Sequence, residues 1–441
     1  MTPEGRFSAA VQLIAAMEAQ PRRPADAVAT EWFRARRYVG SSDRRDVAAR
    51  VWGVVRERLR LDWHLATRAG VAAPAPPRLL VAAHARLAEG LRAAEVAHAY
   101  SGGPHAEPPL TREEAAALNA LRPPLLPPDM PEGPRLNLPD WALPGLRARF
   151  GESLAAEAEA LCGPAPMDLR ANALRGTRET AAASLAAEGI GTTPTPLSPW
   201  GLRSPERRVV LATRAYREGL VEVQDEGSQL IALLVGARPG MRVADYCAGA
   251  AGKTLAIAAT MGNRGRVTAC DVSAARLAGA ARRLARAGVD NAETHLIAPG
   301  DRWAKRRAGG FDRVLVDAPC TGTGTWRRNP DARVRMGAPD LAELRTKQRE
   351  ILDEAAPLVR PGGRLIYATC SLLPEEDEDQ VTDLLNRRPE FRAVPLAQAW
   401  AEAGAAPPAP CDGPYMALSP RAHGTDGFFC AVLERAGGED P

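Results

Sequence analysis

With 441 residues, 45% hydrophobic and 25% charged, the chain has the composition of a globular protein of two to four domains, each able to bury its own core. A formal net charge of +4 is too small to name a polyanionic partner by itself. No apolar run reaches the roughly 18 residues of a membrane span, and the opening Met1-Thr-Pro-Glu-Gly-Arg lacks a signal-peptide profile. A cytoplasmic protein without membrane attachment is expected.

The first hundred residues read as helices. Phe7, Val11, Ile14 and Met17 recur at helical spacing, and Val47, Val51, Val54, Val55 and Leu59 form a second apolar face behind Ser41-Ser42-Asp43, which reads as an N-cap. This stretch holds 16 arginines against 10 acidic residues, a local excess of +6 that fits contact with phosphates. Only three lysines occur in the chain (Lys253, Lys305 and Lys347), so arginine is the default cation here and a lysine in a glycine-rich turn stands out. Proline-rich stretches at 73–77 and 123–134 read as loops, the second closing a helical domain over 1–135.

Residues 140–235 read as a small α+β module. Candidate strands at Met167 to Asn172 and Arg208 to Leu211 alternate with a helix around Glu179 to Glu188. From 236 to 436 short apolar runs alternate with amphipathic helices: Met241 to Cys247, Arg266 to Asp271, Thr294 to Ile297, Phe311 to Asp317, Arg364 to Cys370 and Phe428 to Leu433. That alternation predicts a mostly parallel, doubly wound α/β (Rossmann-like) sheet, whose ligands bind beyond the carboxyl ends of the strands.

The unusual residues fall at those ends. The first strand runs into Asp245-Tyr-Cys-Ala-Gly-Ala-Ala-Gly-Lys-Thr254, small residues that let a nucleotide-like ligand approach the backbone. A phosphate-binding P-loop would need glycine five positions before Gly252, where Cys247 stands. The second strand ends at Asp271, an acid placed to accept hydrogen bonds from ribose hydroxyls, or simply to cap the following helix. These two features fit NAD enzymes as well as methyltransferases.

Two further strand ends carry thiols, in Asp317-Ala-Pro-Cys320-Thr-Gly-Thr-Gly and in Tyr367-Ala-Thr-Cys370-Ser371. With strand order 3-2-1-4-5 these ends are neighbours. The seven cysteines are widely spaced and form no Cys-x-x-Cys or Cys/His cluster, so neither a disulfide framework nor a metal site is expected. A lone buried cysteine is ordinarily an inert hydrophobe, but two thiols in one cleft beside a cofactor suggest nucleophilic chemistry. C5 of cytosine is a poor nucleophile. Adding a thiolate to C6 makes it enamine-like, and a carboxyl group such as that of Asp317 near N3 would stabilise the charge that develops on the ring. A second thiol could assist when the C5 proton leaves and the first thiol is eliminated.

At these residues the chain resembles the Sun/Fmu family of RNA cytosine-C5 methyltransferases. The similarity covers the Asp245–Thr254 loop, Asp317-Ala-Pro-Cys320, Thr369-Cys370-Ser371 with its Leu-Pro-Glu-Glu continuation, Thr425-Asp-Gly-Phe-Phe429, and the lead-in Val223-Gln-Asp-Glu-Gly-Ser-Gln229. Ser42-Asp-Arg-Arg and Trp52-Gly-Val-Val-Arg-Glu-Arg-Leu-Arg-Leu-Asp62 are similar to the NusB-like helical domain of the bacterial small-subunit rRNA members. The resemblance implies that Cys370 attacks C6, that Cys320 promotes proton removal and product release, and that Asp317 holds the base edge. It implies S-adenosylmethionine as cofactor, held by Cys247, Ala248, Gly249, Ala250, Ala251, Gly252, Lys253, Asp271, Asp301 and Asp317. RNA, foremost small-subunit rRNA, is the implied partner, and a monomer is the default state. Where the family usually has Ala-Pro-Gly-Gly-Lys, this chain has Gly249-Ala250-Ala251-Gly252-Lys253, so Ala251 needs a negative φ or a modest strain. The competing readings are the same chemistry on tRNA or another rRNA site, a non-catalytic rRNA-binding assembly factor, and a NAD enzyme, which leaves the twin cysteines unexplained.

Overall fold

The Thr2 hydroxyl accepts from the Gly5 amide and starts the first helix, Pro3–Glu18, which buries Phe7, Val11, Leu13 and Ile14. Helices Ala25–Ala35, Ser41–Arg56, Arg58–Ala69 and Pro77–Leu87 pack their apolar faces on it around Val47, Val51, Val54, Leu61, Leu65, Leu80 and Val81. Ser41 is not the N-cap expected. It is already helical, Gly40 occupies the cap position, and Asp43 in the first turn binds the chain's amino terminus at 2.8 Å. Gly53 is required where this helix crosses Pro77–Leu87, because a Cβ there would lie 2.3 Å from His84 Nε2.

The structure is a computed structural model that describes residues 1–205, 209–298, 300–406 and 408–437. Two units emerge, Met1–Gly163 with Trp326–Ala338, and Pro164–Thr325 with Pro339–Pro441. The helical unit therefore runs past 135 to Gly163, through Leu143–Phe150 and Leu154–Cys162, and takes back thirteen residues from within the expected 236–436 domain. Among the described residues no helix is long and apolar enough to cross a membrane.

In the second unit, β1 (Met167–Ala171), β2 (Thr193–Pro194), β3 (Gly201–Ser204) and β4 (Val221–Val223) form an antiparallel sheet in the order β2-β3-β1-β4. Helix Arg178–Ala187 covers it through Ala181 and Leu185. The strand expected over Arg208 to Leu211 is not formed as read. Arg208 lies outside the described residues, and Val210–Ala212 is a 3-10 turn capped by Thr213. The alternation there is too short to hold a strand, and β1 pairs instead with β3 on one side and with β4, further along the chain, on the other.

The large sheet contains β5 (Arg242–Asp245), β6 (Arg266–Asp271), β7 (Ala292–Leu296), β8 (Phe311–Asp317), β9 (Val359–Thr369), β10 (Phe391–Val394), β11 (Met416–Leu418) and β12 (Phe428–Arg435). Its order is β10-β12-β9-β8-β5-β6-β7, with β11 paired to β12. Strands β5 to β9 are mutually parallel, and β12 runs antiparallel to β9. This is the doubly wound sheet anticipated, with the 3-2-1-4-5 order in β7-β6-β5-β8-β9. The order reverses at β5, so the carboxyl ends of β5, β6, β8 and β9 border one crevice, the usual ligand position in such sheets.

The short apolar runs of these strands bury Val243, Val267, Val314, Leu315, Leu365 and Ile366 completely, as expected for parallel strands covered on both faces. The lead-in segment fastens the small module to the sheet. Gln229 donates to the Leu169 carbonyl, Glu226 accepts from the Leu197 and Ser198 amides, and Arg170 donates to the Gly252 carbonyl at 2.8 Å. Gly227 has to be glycine, since a Cβ would meet Phe428 at 2.5 Å.

Candidate active site

The two thiols do meet. Cys320 Sγ, in the loop after β8, lies 3.4 Å from Cys370 Sγ at the end of β9. Strand register explains it. Asp317 pairs with Ala368, and the Ala318 amide donates to the Ala368 carbonyl, so both strands end at the same level. The hydrogen bond to Cys370, reinforced by burial, raises the Cys320 thiol well above its ordinary value. Cys320 thus keeps its proton in the free protein and can share it with the Cys370 sulfur.

A set of buried polar groups holds the two loops in place. Glu376, fully buried, accepts from the Thr321 amide and from Gln348 Nε2, each at 2.9 Å, and from the Thr321 hydroxyl. Thr323 and Ser371 share a hydrogen bond across the loops at 3.2 Å, and the Gly324 amide donates to the Cys370 carbonyl at 3.0 Å. Gly324 also touches the carboxyl-terminal motif. The Gly427 amide donates to its carbonyl at 2.8 Å, and a Cβ on Gly324 would lie 2.2 Å from the Gly427 oxygen. This contact accounts for the Thr425–Phe429 segment singled out in the sequence.

On the β5 side, Cys247, Ala248, Gly249, Ala250, Ala251, Gly252 and Lys253 form the turn into helix Gly252–Thr260. Ala251, the N-cap, has φ +63° and is buried, so the strained alternative is the one realised. Asp271, 5% exposed, accepts from the Gly249 amide at 2.8 Å through one oxygen and from the Ser273 amide at 2.7 Å through the other. The helix cap is Ser273, which accepts from the Arg276 amide, so Asp271 does not cap that helix; it ties the turn to β6 and holds the residue that does. Lys253 connects the two halves of the crevice, with Nζ 2.6 Å from Asp317 Oδ2. Burial works against the Lys253 charge, yet the Asp317 carboxylate outweighs it and leaves the ammonium above its ordinary value. Asp301 stands apart from this set. It accepts from the Trp303 amide and bonds His295 Nε2 at 2.6 Å, and the His295 bond holds its carboxyl below the usual range.

Asp245 is a residue the sequence did not mark for a role. It is buried at the end of β5, where desolvation lifts its carboxyl to about 7 against a hydrogen bond from Thr254. Its Oδ1 is buried with no hydrogen-bond partner, an arrangement proteins rarely leave unfilled. Together with an open space over Gly249, where no atom lies within 4 Å of the position a Cβ would take, and the Asp271 carboxylate on the neighbouring strand, these groups fit a cationic nucleoside such as S-adenosylmethionine. Among the described residues no group of three or more His, Cys, Asp or Glu side chains is arranged to hold a metal ion.

Comparisons with known proteins agree with this geometry. Residues 232–434 match the family described as 16S rRNA methyltransferase RsmB/F, and residues 138–208 match its ferredoxin-like domain. The chain is 34% identical over 312 residues to a probable ribosomal RNA small subunit methyltransferase B of Synechocystis sp., covering 69% of this chain and 68% of that one. It is also 34% identical over 305 residues to ribosomal RNA small subunit methyltransferase B of Pseudomonas syringae pv. tomato, spanning 66% of that relative's length. Among solved structures, that of PH0851 aligns with a TM-score of 0.78 at 25% identity and covers 99% of both chains.

Proposed function

Because the chain belongs to the RsmB/F family of S-adenosylmethionine-dependent rRNA methyltransferases, we propose that it methylates C5 of a cytosine in small-subunit rRNA through a covalent bond between Cys370 and C6. The observation that supports this reading is the 3.4 Å approach of Cys320 and Cys370 at the ends of adjacent strands. A single thiol would suffice for a nucleophile. A second one at this distance, once it has given up its proton, answers the need for a base after methyl transfer.

Cys247 to Lys253, Asp271 and Asp245 would hold S-adenosylmethionine, which supplies an electrophilic methyl group when bound. Asp301, already engaged by His295, contributes from the loop after β7. The Cys370 thiolate adds to C6, and the electron pair of the C5–C6 double bond moves to C5, which becomes the nucleophile. Asp317, braced by Lys253, holds the base edge, and the Lys253 ammonium offsets the negative charge that addition puts on the ring. After C5 is methylated, Cys320 gives its own proton to solvent and, as thiolate, takes the C5 proton. The C5–H electron pair then reforms the double bond as the C6–S bond breaks, releasing Cys370 as thiolate. Cys320 ends protonated and Cys370 ionised, the state in which the pair began, and the net reaction yields the one proton that Cys320 gave to solvent.

The target base has to leave its stack to reach this crevice, at a cost of a few kcal/mol that is least in loops. The arginine-rich helical unit, similar in sequence to NusB-like domains, and the small sheet module are assigned the grip on RNA. A monomer that needs no metal and works in the cytoplasm completes the reading.

The test uses 16S rRNA transcript and labelled S-adenosylmethionine. Cys320→Ala is expected to accumulate a protein–RNA adduct that survives denaturing gels, and Cys370→Ala to give none. The opposite pattern would exchange the two roles. A base-resolution map of 5-methylcytosine in RNA from cells lacking the protein is expected to lose one small-subunit rRNA site. Loss at a tRNA site instead would keep the chemistry and overturn the substrate, and no lost site would favour the assembly-factor reading.

A further inference from the structure

The turn into helix Gly252–Thr260 is held from two sides. Towards β6, the Ala248 amide donates to the Cys270 carbonyl and the Gly249 amide to Asp271, each at 2.8 Å. Those bonds fix its first half. The second half, Ala250 to Gly252, is gripped by arginines from elsewhere in the same unit. Arg283, on helix Ala274–Ala287, donates through Nη1 to the Ala250 carbonyl at 2.6 Å. Its Nη2 donates to Glu222 of β4 at 3.0 Å, and Glu222, which is buried, also accepts from Arg286. Arg170 of β1, buried as well, donates to the Gly252 carbonyl at 2.8 Å and to Gln224.

The Ala250 carbonyl and the Ala251 amide are the two ends of one peptide plane, and rotating that plane changes φ of Ala251. Ala251 sits at φ +63°, where its Cβ crowds the neighbouring carbonyl. A flip of the plane would bring it back to negative φ and relieve that strain. In Gly249-Ala250-Ala251-Gly252-Lys253 no proline ring blocks the rotation. Two bonds oppose it. The Ala251 amide donates to the Ala248 carbonyl at 2.8 Å, a neutral bond within the turn, and Arg283 holds the carbonyl end with a charge-assisted one. We propose that Arg283, anchored by Glu222, is a positioning residue for the cofactor: it latches the Ala250–Ala251 peptide in its strained orientation, and a turn otherwise shaped by its backbone stays ready for S-adenosylmethionine. This rests on the reading of the Cys247–Lys253 turn as part of the cofactor site. Apparent affinity falls with the fraction of time that the turn spends flipped. Because Glu222 and Arg170 both belong to the small sheet module, that module serves the cofactor as well as RNA.

The experiment measures S-adenosylmethionine binding by calorimetry in the full-length chain without RNA, beside steady-state kinetics on 16S rRNA transcript. Arg283→Met is expected to weaken cofactor binding roughly 5- to 10-fold, as the ready shape drops to a minor share of the free protein. KM for the cofactor should rise by the same factor, with kcat and KM for RNA within about twofold of the parent. Arg283→Lys, which keeps a cationic donor, is expected to recover part of the affinity. In the free protein, amide hydrogen exchange over 250–253 should quicken in Arg283→Met, while strand Arg266–Asp271 keeps the parent's protection. Asp271→Ala, which removes a carboxylate assigned to the cofactor, is the control. If Asp271→Ala weakens binding and Arg283→Met does not, the latch is overturned. It is overturned too if Arg283→Met lowers kcat and raises both KM values together, the mark of a loosened fold. If neither variant alters cofactor binding, the failure lies in the reading of the turn as the cofactor site.

Discussion

The two halves of the crevice are built in opposite ways. The thiol half is laced by side chains: Glu376, Thr321, Thr323, Ser371 and Gln348 bond one another and the loop backbone in the interior, with Gln348 Oε1 left without a partner. The cofactor half is held mainly by backbone shape. It has a turn with Gly249 and Ala251 at positive φ, one carboxylate tying it to β6, and a buried Asp245 oxygen without a partner. The difference follows from what each half does. Groups that act on a reacting carbon must be placed before the substrate arrives, whereas a site for a dissociable cofactor leaves hydrogen-bonding capacity to be filled by the ligand.

The sharpest way to break that comparison is to remove the nucleophile alone. Cys370→Ala is expected to lower RNA methylation by at least about 10³-fold, the scale seen when a covalent nucleophile is deleted, while cofactor binding measured by calorimetry stays within about twofold. A parallel loss of cofactor affinity would mean that the halves are one cooperative structure. Next in size is Glu376→Ala. It leaves the Thr321 amide and the Gln348 amide without their buried acceptor, and about 3 kcal/mol of stability should be lost in urea unfolding. Glu376→Gln keeps an acceptor and should lose less. Equal losses would show that charge, and not the acceptor geometry, organises the thiol loops.

Much of the catalytic sheet was legible because parallel strands buried on both faces carry short apolar runs. Arg266–Asp271 and Phe311–Asp317 form strands over the spans read from the sequence, and the carboxyl ends carried Asp271, Asp317, Cys320 and Cys370. What escaped was anything whose meaning depends on a distant partner. Glu376 reads as one of a run of acids on a helix start, and nothing local says that it faces Thr321, 55 residues away. Trp326 and Arg333 sit among arginines and a proline without periodicity, so residues 326–338, which group with the helical unit, left no pattern to read. Ser41 failed as a cap for the same kind of reason. Local capping chemistry suited it, but Gly40 took the position and Asp43 was claimed by the amino terminus.

The cofactor half offers two smaller tests. Burial lifts Asp245 from 3.8 to about 7. Between those values the folded protein holds a proton that the unfolded chain has released, so the stability tied to this group is present below about pH 4 and is lost as pH rises towards 7. Asp245→Asn removes the titration and should flatten the decline in urea midpoint between about pH 5 and about pH 7.5. Saturating cofactor should also alter the slope in the parent, if the partnerless Oδ1 is filled by the ligand. A slope unchanged in the variant would place the charge elsewhere.

The smallest expected effect concerns Ala251. A Cβ at φ +63° meets the neighbouring carbonyl and costs roughly 1–2 kcal/mol, and the residue is also fully buried as the N-cap of helix Gly252–Thr260. Glycine would relieve the backbone strain but would gain freedom in the unfolded chain, which returns about 0.4–1 kcal/mol. The balance favours Ala251→Gly by about 0.5–1 kcal/mol, read as a higher urea midpoint with unchanged slope. The methyl group also fills space under the turn, and this is what makes the sign informative. If stability falls instead, packing of the alanine methyl outweighs the strain, and the turn is held by its interior contacts much as the thiol half is. If stability rises and cofactor affinity stays level, the strain is stored in the free protein and is not relieved on binding. A rise in both would show that the turn relaxes towards the ligand.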